Sequence, residues 1–93
     1  MEIKHRNSES RGAFYVELNG EEVALMTYSN AGPEKIIIDH TEVSETLKGQ
    51  GIGKKLVEAS VQYARKHGKK ILPLCPFANA VFKKTPEYDD VRF

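Results

Sequence analysis

The apolar residues change period once along the chain, and no other feature constrains the fold as much. Up to Val43 they alternate; beyond a glycine-rich stretch they recur at helical spacing. Glu2–Asn7 reads as a short edge strand and Asn7–Gly12 as a turn. In Ala13–Asn19, Phe14, Val16 and Leu18 share one face, opposite Tyr15 and Glu17. Asn19-Gly20 is a strong hairpin signal, because both residues tolerate positive φ. The return strand Glu22–Tyr28 sets Val23, Leu25 and Thr27 against Ala24, Met26 and Tyr28. Lys35–Val43 is a third β-branched run, with three consecutive isoleucines. The first half is therefore expected to form an antiparallel meander.

The second half changes character. Ser44–Gly68 reads as a loop followed by a helix. Ile52, Leu56, Ala59 and Tyr63 form a stripe that Val57, Val61 and Ala64 widen, while Lys54, Lys55, Glu58, Gln62, Arg65 and Lys66 face water. Gly68 suits the C-cap, behind the basic last turn Arg65–His67. Lys70–Cys75 returns as a strand. A right-handed crossover places it parallel to Lys35–Val43. Pro76 suits the first position of a short helix that ends at Thr85-Pro86. The fold class is α/β (α+β): a mixed sheet with an antiparallel N-terminal meander, one parallel β-α-β unit, a long helix on the sheet and a short C-terminal helix. At 93 residues, a single domain over 1–93 is expected.

Charge divides along the same boundary. Residues 1–47 hold four Lys/Arg against nine Asp/Glu, whereas residues 48–84 hold nine against one. A basic half in a chain of net charge +1 points to an anionic partner on one side. The one cysteine excludes an internal disulfide and any cysteine-based zinc site, and no metal site is expected. A lone thiol and a polar N-terminus fit a cytoplasmic protein without a leader, and no apolar run is long enough for a membrane helix. A monomer is expected.

Lys48-Gly49-Gln50-Gly51-Ile52-Gly53-Lys54 lies where a strand feeds the main helix. Glycines let backbone N–H groups approach a ligand, and a helix start adds partial positive charge, so this stretch reads as a diphosphate cradle flanked by Lys48, Lys54 and Lys55. It is neither a P-loop nor a dinucleotide fingerprint. Only three residues separate Gly49 from Gly53, and the stretch follows an antiparallel meander.

Lys48-x-x-Gly51-x-Gly53, opening a basic amphipathic helix, resembles the acetyl-coenzyme A motif of the GNAT superfamily, with Lys48 where Arg or Gln is usual. His40-Thr41-Glu42-Val43, Pro73-Leu74-Cys75-Pro76 and Pro86-Glu87-Tyr88 extend the likeness to very short GNAT-like proteins, over about His40 to Tyr88. The resemblance implies an N-acetyltransferase that moves an acetyl group from acetyl-coenzyme A (acetyl-CoA) to an amine. It also implies that the third long strand and the Cys75 strand splay apart. The pantetheine arm would lie in that gap against Thr41, Glu42 and Val43, and the pyrophosphate on Gly49, Gln50, Gly51, Ile52, Gly53 and Lys54. Lys83 and Lys84 could face the nucleotide end.

In the wider superfamily a tyrosine after the last core strand often protonates the departing thiolate. Aligning Ala78 puts Phe82 there and Cys75 at the mouth of the gap. Cys75 is thus a candidate acid or transient acetyl carrier, with its pKa lowered at a helix start; a small buried apolar cysteine is the alternative. His40 and Glu42 share a strand face and are the candidate bases, Glu42 only if burial raises its pKa. His5 and His67 read as solvent-exposed, Tyr63 and Tyr88 as packing residues. The short connections leave the acceptor side open, which suits a bulky amine such as a protein lysine or N-terminus. Two rival readings are a non-catalytic coenzyme A-binding module and a basic nucleic-acid-binding domain. The second lacks a basic–aromatic stacking platform, so no specific nucleic acid is expected.

Overall fold

A computed structural model describes residues 1–93. Strands β1 (Lys4–Asn7), β2 (Arg11–Leu18), β3 (Glu21–Asn30), β4 (Lys35–Val43) and β5 (Lys70–Pro73) form one sheet in the order β1-β2-β3-β4-β5. All pairs are antiparallel except β4–β5. Helix α1 (Ile52–His67) makes the crossover, and α2 (Pro76–Lys84) follows β5. Asn19 (φ 53°) and Gly20 (φ 79°) turn the β2–β3 hairpin as expected. Gly68 (φ 66°) ends α1 in the left-handed conformation, its N–H donating to Ala64 O. No helix is long and apolar enough to cross a membrane.

The core lies between the sheet and α1. Val16, Met26, Tyr28, Ile36, Ile38 and Ile71 from the strands meet Leu56, Val57, Val61 and Ala64, all buried. Tyr63 and Ala59 sit at the rim of this contact, and buried Ser60 closes it, its hydroxyl donating to Val57 O at 2.6 Å. The sequence stripe missed Ser60 because its polar side chain is satisfied by its own helix.

Several expectations shift in detail. Leu18, expected on the face of Phe14 and Val16, ends 40% exposed beside the hairpin turn, and the register shift next to Val16 and Glu17 leaves Val23 of β3 as the extra residue. β5 stops at Pro73, because the N–H groups of Leu74 and Cys75 both turn to Ile38 O. Two 3₁₀ turns, Glu45–Leu47 and Pro86–Val91, escaped the sequence reading; each buries one apolar residue, Leu47 and Val91.

A second register shift matters more. In β4, Ile38 faces Tyr28 and His40 faces Thr27, so Asp39 is an extra residue. Its carboxylate accepts from the Thr27 and Ser29 hydroxyls and pairs with Arg11 at 3.4 Å. Without this bulge, Ile36, Ile38, His40 and Glu42 would share the face under α1. With it, Thr41 and Val43 stand opposite Met26 and Ala24 on the α1 side, while His40 and Glu42 stand opposite Thr27 and Leu25 on the uncovered side.

Candidate active site

Gly49 (φ 84°) and Gly51 (φ 71°) adopt backbone that other residues rarely take, and nothing lies within 4 Å of where a Cβ on either would stand. Gly51 is the N-cap of α1 and offers no side chain. Lys55 N–H is the first in the helix to reach a carbonyl, that of Gly51 at 3.1 Å. The N–H groups of Ile52, Gly53 and Lys54 therefore have no intrahelical acceptor and no side-chain cap. They open on a cleft of about 360 Å³. Thr41 and Val43 line it from β4, and Leu47, Lys48, Gly49 and Gly51 from the loop. Phe77 of α2 completes the wall.

The third glycine has another task than backbone approach to a ligand. A Cβ on Gly53 would stand 2.6 Å from Phe77 Cζ. Gly53 lets α2 bring Phe77 onto the start of α1, so it shapes the cleft wall. Lys48 is ion-paired to Glu45 at 2.8 Å, whereas Lys54 is exposed and unpaired.

β4 and β5 pair from Lys35–Lys70 to Ile38–Pro73 and then diverge, giving the expected fork. Cys75 stands in it. The residue is 5% exposed, and its thiol donates to Thr41 Oγ1 at 3.3 Å. Cys75 is also the N-cap of α2, with Pro76 first in the helix, but its side chain turns into the fork and caps no N–H. Thr41 thus belongs both to the fork and to the glycine-loop cleft.

The remaining candidates fall elsewhere. His40 and Glu42 are together, Nε2 to Oε1 3.3 Å, but on the uncovered sheet face and both exposed. The burial that a base role for Glu42 required is absent. Phe82 is 1% exposed in the core, edge-on to Tyr88 at 5.7 Å between ring centroids, so it does not reach the cleft. Gln50 and Lys55 are exposed and outside the cleft wall. His5 is not merely a surface residue: it stacks on Phe14 at 4.2 Å and hydrogen-bonds the buried Tyr28 hydroxyl at 2.6 Å. Tyr63 packs edge-on against His5, as a packing residue should. The sequence reading missed Leu47 and Phe77. Phe77 carried a signal, an aromatic directly behind a helix-starting proline.

A short chain whose two parallel strands part beside an uncapped, glycine-opened helix has the arrangement that the resemblance to the GNAT superfamily implies. The family model for the GCN5-related N-acetyl-transferase matches residues 13–91, and the chain belongs to that family, which generally uses acetyl-CoA. The NATD1 protein of Xenopus tropicalis is 28% identical over 85 residues, 90% of this chain and 78% of its own. The solution structure of a GCN5-like protein from Staphylococcus aureus is 38% identical, with a TM-score of 0.73 over 99% of this chain and 87% of that one. Ribosomal-protein-alanine N-acetyltransferase from Brucella melitensis shares the fold at 17% identity, with a TM-score of 0.69 over 83% of this chain and 62% of its own.

Proposed function

We propose that the chain transfers an acetyl group from acetyl-CoA to an amine. The observation that carries this reading is the set of unpartnered N–H groups on Ile52, Gly53 and Lys54, opening on a cleft that reaches Thr41 at the strand fork. A helix start of this kind favours anionic oxygen. Nothing lies within 4 Å of where a Cβ on Gly49 or Gly51 would stand, which leaves their backbone open to approach by a diphosphate. Those residues would hold it, with Lys54 in the cleft wall adding an unpaired positive charge. Thr41, Val43 and Cys75 would line the path of the pantetheine arm.

When bound, acetyl-CoA supplies an activated thioester. The chain's own residues have two tasks. His40, oriented by Glu42 on the uncovered face, accepts the proton of the incoming amine. The Cys75 thiol, turned into the fork, returns a proton to the leaving sulfur. The uncovered face around His40 suits an amine carried on a large molecule, such as a protein lysine or N-terminus.

A thiol-release assay with acetyl-CoA and a panel of peptide amines tests this reading. Turnover is expected, with the acid limb of its pH profile lost in His40→Gln. Full activity in both Cys75→Ala and Cys75→Ser removes Cys75 from the chemistry. Binding of acetyl-CoA without turnover for any amine selects a second reading, a coenzyme-binding module. The burial of Phe82, where relatives often carry an acid tyrosine, favours that second reading.

A further inference from the structure

Only three polar side chains line the glycine-loop cleft: Thr41, Lys48 and Lys54. The two lysines belong to the loop and to the start of α1. Thr41 stands on β4 beyond Ile38, the last residue of that strand paired with β5. It is half-buried on the α1 side of the sheet, opposite Met26. A hydroxyl has one proton to give and two lone pairs with which to accept. One lone pair takes the Cys75 thiol proton at 3.3 Å. The Thr41 proton itself reaches no acceptor in the protein. A β-branched side chain has a restricted χ1, and the thiol occupies one side of the oxygen, so the unspent proton is left for the cleft.

An unspent donor at the fork, held by its neighbours before any ligand arrives, has the chemistry to polarise a carbonyl. We infer that Thr41 is a catalytic residue: its hydroxyl donates a hydrogen bond to the carbonyl oxygen of the acyl group carried on the thioester. This rests on the reading of the cleft as the acetyl-CoA site, and it goes beyond lining the path of the pantetheine arm. Negative charge gathers on that oxygen when an amine adds to the carbonyl, so the hydrogen bond strengthens during reaction and acts on kcat. Thr41 forms no covalent bond and passes on no proton. Coenzyme A without its acyl group has no such oxygen, so its binding does not depend on the Thr41 hydroxyl.

Isotope-edited infrared spectra of acetyl-CoA labelled at the carbonyl carbon, bound to the full chain, test the contact without any acceptor amine. Wild type is compared with Thr41→Ser, Thr41→Val and Cys75→Ala; valine keeps the β-branched shape and lacks the hydroxyl. The expected result is a lower carbonyl stretching frequency in wild type, Thr41→Ser and Cys75→Ala than in Thr41→Val. Calorimetry should show the coenzyme A affinity of Thr41→Val unchanged from wild type. In the thiol-release assay, kcat should fall about 100-fold in Thr41→Val and largely return in Thr41→Ser. Four results would each overturn the role of Thr41 while leaving the acetyl-CoA site intact: one frequency shared by wild type and Thr41→Val, a lowered frequency lost in Cys75→Ala, an unchanged kcat in Thr41→Val, or coenzyme A binding weakened as much as acetyl-CoA binding. Failure of wild type to bind acetyl-CoA would instead overturn the reading of the cleft, and turnover of no amine the transfer reading, with the role of Thr41 lost in either case.

Discussion

Gly53→Ala separates two explanations of the glycine loop. The new methyl carbon would stand 2.6 Å from Phe77 Cζ and 2.8 Å from Cε2. Carbon atoms in contact sit about 3.5–4.0 Å apart, so the ring must retreat by roughly 0.9 Å or more. Phe77 is 40% exposed, so it has solvent to retreat into and the fold survives. Overpacking of this kind costs about 1–3 kcal/mol. Alanine in place of glycine within a helix returns about 0.5–1 kcal/mol. The net expectation is a loss of up to about 2.5 kcal/mol, at about 4–8 °C in Tm per kcal/mol for a chain of this length. In a Phe77→Ala background the clash is gone, and the same substitution should stabilise by about 0.5–1 kcal/mol. Urea unfolding of the four proteins gives the coupling energy, expected at about 1–3 kcal/mol against an additivity error of about 0.3–0.5 kcal/mol. Equal destabilisation by Gly53→Ala in both backgrounds would refute the packing role. On the acetyl-CoA reading of the cleft, whose wall includes Phe77, Gly53→Ala should also weaken coenzyme binding.

Three further outcomes follow from the geometry. Gly51→Ala meets no atom but must hold φ near 71°, so it should cost about 1–2 kcal/mol by strain alone, with no rescue from Phe77→Ala, as thermal unfolding would show. Asp39→Ala leaves Thr27, Ser29 and Arg11 without their shared acceptor; urea unfolding should show a loss of about 1–2 kcal/mol, and Asp39→Asn a smaller one. Burial, with a smaller contribution from His67, lowers the pKa of His5 below 6.5. The unfolded chain then binds a proton at a pH where the folded chain does not, so stability falls as pH drops below about 6.5. His5→Phe should flatten that fall in urea midpoints measured between about pH 7.5 and 5.5; an unchanged slope would exclude His5 as its source.

The sheet, its parallel β4–β5 pair and both helices were legible in the sequence from local periodicity and from turn residues with one conformational use, such as Asn19-Gly20 and Gly68. The fork with Cys75 was an expectation of the family resemblance. The Asp39 bulge was not legible. An inserted residue leaves no mark on composition, and Ile-Asp-His-Thr reads as unbroken alternation. The consequence is local but functional, since the bulge decides that Thr41 enters the cleft while His40 faces outward. The glycine motif was read as one device, whereas the structure divides it. Gly49 and Gly51 supply backbone conformation, and Gly53 supplies room for a side chain more than twenty residues away in sequence. That partner, Phe77, could be found only once α2 was placed against α1. The base role for Glu42 failed for a related reason, because burial belongs to the sheet's packing and not to the strand.

The most direct test of the acetyl-CoA site is a titration of the protein with acetyl-CoA, coenzyme A and ATP at matched ionic strength, read by backbone amide NMR. The expected result is saturable shifts at Gly49, Gly51–Lys54, Thr41, Val43 and Cys75, stronger for the two coenzymes than for ATP. No shifts, or equal shifts for all three, would reduce the cleft to a general anion-binding loop and contradict the acetyltransferase reading.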